Sequence, residues 1–345
     1  MVFLEGIWSR ILLLCFLISL GCSAEKHDFD LTKAQLVKRY FTESDSVYLG
    51  DVGDLNFLND QFFISESDNS RLLIFNSDFS LDTIVGRFGQ GPGEYRMAGA
   101  LGTAFGQFYL HDIAHGKLRF YPRSFESFND IELLGPEEVN SFAISDSIIY
   151  YSSTDGKGRP IVAIDLKKDS IRRYGSFIDK GLDEFQKINR SQGYIFKQDT
   201  GFIYIYKSEP KAIVYDADFR VVSELDLSHL SLFKNSLIRA DMTYRNQANT
   251  TVFLIDDAFK NGNKYYLSVY EDFETDNLEK NYGFRRKLNK LIKLNYAEDV
   301  SQLQLEEIID LSDGGGWYNE ILVLSDHSLY AFDGINHEIH KFEID

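Results

Sequence analysis

The hydrophobic positions of the chain fall into short apolar and aromatic runs separated by polar turns of Asp, Gly, Asn and Ser. Runs of about four to eight residues bounded by such turns are typical of β-strands joined by hairpins. The segment beginning at Gln61 (QFFISESDNSRLLIFNSDFSLDTIVGRF) aligns strand for strand with the segment beginning at Gln107 (QFYLHDIAHGKLRFYPRSFESFNDIELL). The pattern therefore predicts a repeated, all-β unit.

Further copies of this unit begin at Ser147, Gly201, Lys264 and Ile321. Six units spaced by roughly 40 to 60 residues suit four-stranded propeller blades better than the shorter units of solenoids. The last copy ends after its third strand, and residues 45–50 (DSVYLG) precede the first copy without a partner. We expect a six-bladed β-propeller over residues 45–345, its ring closed by this N-terminal strand completing the last blade. A β-sandwich does not explain the spare strand at one end and the missing strand at the other.

The N-terminal segment has the pattern of an export signal. Residues 11–20 (ILLLCFLISL) form an apolar run of ten residues that follows Arg10 and ends at Gly21. A helix needs about twenty residues to span a bilayer, so this run is predicted to be the hydrophobic part of a signal peptide. Two alternatives are a simple secretory signal with an incidental cysteine and a buried core segment.

The run Ser19-Leu20-Gly21-Cys22 resembles a bacterial lipobox, in which the cysteine is diacylated and becomes the mature N-terminus. This resemblance implies a signal peptide over residues 1–21, lipidation of Cys22 and, because Ser23 is not an inner-membrane retention Asp, an outer-membrane lipoprotein that is periplasmic or surface-facing. The membrane is then a partner through the lipid. Residues 22–44 are expected to be a tether and short linker, in which residues 31–41 could form one or two helical turns.

The stretch GRFGQGPGEYR, from Gly86 to Arg96, contains the most specific motif of the chain. It resembles the G-x-G-P-G-E-[FY] signature of six-bladed, NHL-like or TolB-like propeller lipoproteins of Bacteroidetes. The resemblance implies a propeller in the cell envelope and no particular activity. The motif lacks the Lys-Ser/Thr ending of a phosphate loop, so we interpret it as a structural turn in which Glu94 accepts backbone hydrogen bonds.

Composition narrows the partners. The formal net charge is −17, and removal of residues 1–21 leaves it unchanged because that segment holds one acid and one base. An acidic surface repels phosphate backbones, so no nucleic-acid partner is expected. Aromatic residues make up 14% of the chain, which favours pleated, half-buried strands over disorder.

The sequence contains no catalytic or cofactor-binding constellation. The seven histidines are scattered, and the only cysteine left after signal cleavage would carry lipid. His111 and His115 have the spacing of a zinc-protease helix, but on an extended strand they would lie about 13 Å apart. We therefore expect no cofactor and no metal at these residues, and a non-enzymatic role is favoured.

Two sets of loops are expected to share one face of the propeller, around the mouth of the central channel. One set joins the second and third strands of each blade, and the other joins consecutive blades. On this face Trp317 and Tyr318 are predicted to offer a stacking surface and Arg96 a charged contact. The predicted ligand-binding residues are Arg87, Glu94, Arg96, Asp112, His115, Arg159, Trp317, Tyr318 and His337.

Two functions are compatible with the sequence. The favoured one is a lipid-anchored binding or interaction module of the bacterial cell envelope, with a peptide, a glycan or a partner protein as ligand. The alternative is a propeller enzyme, a lyase or hydrolase, with a divalent metal held in the central channel by carboxylates or histidines of several inner strands. A stoichiometric metal in the purified protein would favour the enzyme.

Overall fold

The computed structural model describes residues 31–41, 48–122, 125, 127–134, 139, 141–178, 183–246, 250–274, 284–324 and 327–344. These residues form six sheets that follow one another along the chain, and the inner strands of neighbouring sheets pack side by side around a central channel. The chain is therefore a six-bladed β-propeller, as the repeat predicts.

Each blade has four antiparallel strands, ordered from the channel outward. The N-terminal segment supplies two strands, β1 (Leu31–Lys33) and β2 (Gln35–Tyr40). Blade 1 contains β3 (Val52–Leu58), β4 (Gln61–Glu66), β5 (Arg71–Asn76) and β6 (Leu81–Val85). Blade 2 contains β7 (Ala98–Ala104), β8 (Gln107–Asp112), β9 (Lys117–Tyr121) and β10 (Asn129–Glu132). Blade 3 contains β11 (Phe142–Ser145), β12 (Ile148–Ser152), β13 (Ile161–Asp165) and β14 (Ser170–Tyr174).

The second half of the ring has the same plan. Blade 4 contains β15 (Gly193–Gln198), β16 (Gly201–Tyr206), β17 (Lys211–Asp216) and β18 (Val221–Asp226). Blade 5 contains β19 (Ile255–Asn261), β20 (Lys264–Glu274), β21 (Phe284–Ala297) and β22 (Gln302–Asp310). Blade 6 contains β23 (Tyr318–Val323), β24 (Ser328–Asp333) and β25 (Glu338–Glu343), completed by β2.

Two helices occupy the loops between blades. Helix α1 (Glu184–Arg190) lies between blades 3 and 4, and its first turn is capped by Asp183, which accepts a hydrogen bond from the Gln186 amide at 2.8 Å. Helix α2 (Lys234–Asn246) lies between blades 4 and 5 and packs against β20. Neither is long and apolar enough to cross a membrane, and this holds for every helix in the described part of the chain.

Aromatic layers hold neighbouring blades together. Between blades 6 and 1, the Phe62 ring stacks on Phe79 at 4.1 Å and meets Tyr330 edge-on at 4.9 Å. Between blades 3 and 4, Tyr150 lies 4.5 Å from Phe202. These strands are buried on both faces, so the high aromatic content is used for packing of blade on blade.

The ring closes through β2. Closure by an N-terminal strand is confirmed, but the strand predicted at residues 45–50 is wrong: residues 48–50 have no regular structure and residues 42–47 lie outside the described part. Strand β2 pairs antiparallel with β25, from Gln35 opposite Glu343 to Tyr40 opposite Ile339. Strand β1 pairs in parallel with the outer strand β22 of blade 5. Residues 31–40, here named the N-terminal clasp, therefore join blade 5 to blade 6.

The clasp also corrects two further expectations for this region. Residues 31–41 form strands where helical turns were expected, because Thr32, Ala34 and Leu36 alternate inward before a bulge between Leu36 and Lys38 interrupts the alternation. The described part of the tether predicted over residues 22–44 therefore belongs to the propeller. The predicted signal peptide and Cys22 lie outside the described residues.

Candidate functional site

Buried acids fix the loops around the channel mouth in three adjacent blades. Glu66, Asp112 and Asp333 each end the second strand of a blade and are fully buried. Each accepts a backbone hydrogen bond from the loop that enters the inner strand of its own blade: Gly50 to Glu66, Arg96 to Asp112 at 3.4 Å, and Trp317 to Asp333 at 3.0 Å. The shared position indicates a structural role, because a buried carboxylate is stable only where donors surround it.

Replacing Asp333 tests this role. Its Oδ1 accepts from the amides of Trp317 (3.0 Å) and Ile335 (3.1 Å), so Asp333→Ala leaves both amides without this acceptor. We expect the free energy of unfolding, measured by urea titration, to fall by about 2–4 kcal/mol. Asp333→Asn keeps one acceptor oxygen and should lose less than half of that. Equal losses in the two variants would contradict the assignment.

The glycine-rich motif forms a turn on blade 2, as interpreted from the sequence. Gly86 and Gly93 have φ of +80° and +74°, and a Cβ on Gly86 would lie 2.1 Å from the Tyr95 ring. The Glu94 carboxylate accepts from the Gly91 amide and from Arg87, each at 2.8 Å, and these bonds lower the pKa of Glu94. The motif is thus held together by its own side chains and by buried Tyr95.

Seven of the nine predicted ligand-binding residues lie in loops, whereas Asp112 ends β8 and Tyr318 begins β23, and none of the nine lines the channel cavity described below. Tyr318 is 0% exposed and shares a hydrogen bond with His340, so it has no free ring face for stacking. Trp317 is half-buried beside Tyr270, 5.9 Å between centroids. Of the other residues, Arg87 pairs with Glu94, and Asp112 pairs with His115. Arg96 and His337 lie on loops at the mouth of the channel. Arg159 lines a separate cavity between blades 3 and 4.

A cavity of about 460 Å³ occupies the channel and opens between the mouth loops. Its size falls in the range of small-molecule sites. Carboxylates from blades 5, 6 and 1 form one arc of its wall: Asp256, Asp257, Glu320 and Asp54. Aromatic residues of blades 2, 3 and 4 form the opposite arc: Tyr109, Phe142, Tyr194 and Phe196. Phe259 of blade 5 and Phe332 of blade 6 also line the cavity. The acids are therefore confined to one side of the channel cavity, here named the acidic side, and most of the aromatic residues lie on the other, the aromatic side.

Bulges direct the acids into the cavity. The inner strands β3, β19 and β23 each shift register just before the acid, between Val52 and Asp54, Ile255 and Asp257, and Tyr318 and Glu320. A bulge re-aims the side chains beside it, which is why consecutive residues such as Asp256 and Asp257 both line the channel. This repeated irregularity places an acid at the same level in three consecutive blades.

The three acids differ in their hydrogen bonds. Asp54 Oδ2 accepts from the Leu101 amide of the next blade at 2.8 Å, and Asp257 Oδ2 accepts from the Ile321 amide of the next blade at 3.0 Å. Asp257 Oδ1 also accepts from its neighbour Ala258 at 2.7 Å. Glu320 makes no hydrogen bond or ion pair with a residue that the structure describes, although it lines the same wall. Glu320 is thus the carboxylate with free acceptor capacity.

Crowding of these carboxyls changes their titration. Burial raises the pKa of Asp257 to about 7, against the effect of the Ile321 and Ala258 amides. Burial raises the pKa of Glu320 well above its usual range, and the nearby charges of Asp257 and Asp54 raise it further. Burial and the charge of Asp257 also raise the pKa of Asp54. The acidic side therefore retains protons near neutral pH that ordinary surface carboxyls have lost.

The aromatic side carries one polar group that lacks a partner. Tyr109 is 7% exposed and lines the cavity, and its hydroxyl forms no hydrogen bond with a described residue. Burial and the Asp54 charge raise the pKa of this phenol, so it stays a neutral donor. Lys207 also lines the cavity, its ammonium lies 4.6 Å from the Phe253 ring, and its charge partly offsets the rise in the pKa of Asp257 and of Glu320.

Among the described residues, no three His, Cys, Asp or Glu side chains converge closely enough to hold one metal ion. The carboxylates instead surround a space larger than an ion. The three acids do not stand out in the sequence, because the visible repeat is that of the second strands. Asp54 and Asp257 each stand seven residues before the second strand of their blade and Glu320 stands eight before, a recurrence that an alignment of inner strands would have revealed.

Comparison with known proteins agrees with the fold. The model of a family described as a 6-bladed beta-propeller matches residues 42–99. A member of the DUF4221 family from Bacteroides vulgatus is 11% identical, with a TM-score of 0.59 over 92% of this chain and 99% of that chain. A Bacteroides fragilis protein named for its expected export is 14% identical, with a TM-score of 0.53 over 93% of this chain and 96% of that chain.

A streptogramin B lyase is 10% identical, with a TM-score of 0.50 over 89% of this chain and 97% of that chain. No curated protein matches the sequence. At these identities the structural likenesses establish the propeller architecture alone, because one fold carries many unrelated functions. Function must therefore be argued from the channel cavity.

Proposed function

We propose that this chain is a binding module of the bacterial cell envelope that takes its ligand into the channel cavity. The observation that carries the proposal is the cavity itself, with carboxylates on one side and aromatic rings on the other. A pocket of this kind offers apolar contact area together with a few oriented polar groups, the usual composition of a small-molecule or side-chain binding site. The exposed Arg87 and Arg96 would contact parts of a peptide, glycan or protein ligand that project from the mouth.

Obstruction of the mouth tests the site. Met97 lines the cavity and is 41% exposed, whereas Phe88 of the same loop is 65% exposed and does not line it. Peptides, oligosaccharides and small molecules would be screened by thermal shift, and each hit titrated by calorimetry. We expect Met97→Trp to weaken the binding of hits at least tenfold and Phe88→Trp to leave it unchanged. Hits that are insensitive to Met97→Trp would refute the channel as the binding site.

Anchoring by lipid on Cys22 is part of the proposal. It is supported by the apolar run at residues 11–20, by the Gly21-Cys22 junction and by the likeness to a protein named for its expected export. Eight residues lie between Cys22 and the start of the clasp at Leu31, and the nine residue steps that join them reach at most about 30 Å. The lipid would thus keep the rim of blades 5 and 6 close to the outer membrane.

Loss of the anchor is measurable by fractionation. Cys22→Ser removes the thiol that would carry the lipid, and with it the acyl burial that holds the protein on a membrane. We expect the variant to move from the membrane pellet to the soluble fraction, with no change in the unfolding transition of the propeller. Retention in the pellet after a high-salt wash would show that Cys22 is not the anchor.

An enzyme is the second candidate, and one observation favours it. Several carboxyls with raised pKa values in one cavity are an arrangement found at active sites that transfer protons. A lyase or hydrolase of this kind with a divalent metal in the channel would retain about one metal per chain after dialysis. Elemental analysis of the purified protein distinguishes it from the binding module, which needs no metal.

A further inference from the structure

The ligand class follows from the two sides of the cavity and from two groups that lack partners. Glu320 lines the cavity without a hydrogen-bond donor among the described residues, and the hydroxyl of Tyr109, whose side chain is nine-tenths buried and lines the same cavity, has no described hydrogen-bond partner. Polar groups that reach an open cavity without a protein partner are available to a ligand. The aromatic residues of the opposite wall favour a ligand that also has an apolar body.

Charge selects the ligand further. Two lysines, Lys207 and Lys260, line the cavity against five carboxyls, those of Asp51, Asp54, Asp256, Asp257 and Glu320. Lys260 donates to the Lys197 carbonyl at 2.5 Å, and Lys207 lies over Phe253, so both ammonium groups are engaged. An additional positive charge in the cavity would relieve the repulsion among the carboxyls. The acids do not converge on one point as metal ligands would, so the charge must belong to a larger group.

We propose that the channel cavity binds an organic cation, an ammonium or guanidinium group on an apolar body, with the charged group against Glu320, Asp54 and Asp257 and the body against Phe142 and Phe196. Blade 6 faces blade 3 and blade 1 faces blade 4 across the ring, so the acidic and aromatic sides contact one ligand from opposite directions. An aromatic ring whose face lies against a cation adds a favourable electrostatic contact. This inference rests on the proposed function and names the chemistry of its ligand.

The binding is coupled to pH. Glu320 shares the cavity with the following titratable residues: Asp51 before β3, Asp54 of β3, Tyr109 of β8, Tyr194 of β15, Lys207 after β16, and Asp256, Asp257 and Lys260 of β19. An ammonium ligand favours ionised carboxylates, whereas the raised pKa values of Asp257 and Glu320 keep protons on the empty site. The ligand must displace these protons, so its affinity increases as pH rises from 5.5 to 8.

The experiment compares two probes that share a body and differ in charge. Phenethylamine is cationic and phenethyl alcohol is neutral, and both would be titrated into the purified protein by calorimetry at pH 8. We expect the amine to bind at least tenfold more tightly than the alcohol, with that advantage falling below threefold in Glu320→Gln. Asp82→Asn, which removes a charge on the exposed outer strand β6, should retain the full advantage. A capped peptide, acetyl-Phe-Lys-amide, tests whether a peptide side chain serves as the source of the cation.

The outcomes separate this inference from the proposed function. Equal affinity for amine and alcohol, with both weakened by Met97→Trp, would overturn the cation assignment and leave the binding function in place. An amine advantage that Glu320→Gln does not reduce would also overturn the assignment. Tight binding of CaCl₂ alone, without any response to either amine, would replace the organic cation by a metal. If no compound of the screen responds to Met97→Trp, the proposed function is overturned as well.

Discussion

A chain that begins at residue 41 is expected to lose stable folding, whereas a chain that begins at residue 31 is expected to keep the full stability of the protein. The ten residues of the N-terminal clasp form the outer strand of blade 6 and an added edge on blade 5. Ala34 is buried, and Tyr40 stacks on Phe79 of blade 1 at 4.1 Å. Loss of the clasp therefore exposes two strand edges and opens the ring.

We expect the shorter chain to lose at least about 4 kcal/mol, a large share of the 5–15 kcal/mol that stabilises a typical domain. The measurement is urea unfolding of the two truncations side by side. A synthetic peptide of residues 31–41 should restore part of the lost stability when added to the shorter chain, because the clasp pairs through its backbone. Equal unfolding midpoints of the two truncations would show that the ring does not depend on the clasp.

The propeller could be predicted from sequence because its second strands carry the strongest pattern. Strands such as β4 and β16 are buried on both faces, so their apolar runs repeat visibly along the chain. The closing strand could not be placed in the same way. Strand β2 lies at the edge of a blade, where Lys38 and Arg39 are exposed and a bulge breaks the alternation. Charged, irregular edges protect a sheet from aggregation and also conceal the strand in the sequence.

The site was harder to predict than the fold. Loop residues such as Arg87 and Glu94 stood out by composition, but they pair with each other in a turn. The acids that line the channel lie inside inner strands, where an Asp or Glu in a sequence resembles an ordinary solvated position. Their orientation depends on bulges, and a bulge is a three-dimensional property of two paired strands that a single strand sequence does not disclose.

Glu320→Gln is expected to stabilise the propeller at pH 8 and to leave its stability nearly unchanged at pH 5. Burial, with Asp257 and Asp54 nearby, raises the pKa of Glu320 in the folded state, while in the unfolded state the group titrates near its usual value. Between these two values the folded state holds a proton that the unfolded state has released, so stability falls as pH rises through this window. A neutral Gln of similar shape removes that loss, and no hydrogen bond of Glu320 to a described residue is sacrificed.

The expected gain is observed as a higher melting temperature of Glu320→Gln than of the parent at pH 8, with little difference at pH 5. The comparison must be made between variants at each pH, because burial lowers the pKa of His111 to about 3 and also lowers the pKa of His340. Such histidines lower the free energy of unfolding at a pH below their unfolded-state pKa, and this loss disappears as pH rises, which is opposite in sign to the effect of Glu320. Both proteins contain these histidines, so their effect cancels when the two proteins are compared at one pH. Asp82→Asn, which removes an exposed carboxylate, should show no pH-dependent gain. A Glu320→Gln protein that is no more stable than the parent at pH 8 would show that burial of Glu320 among other carboxyls does not destabilise the folded protein at this pH.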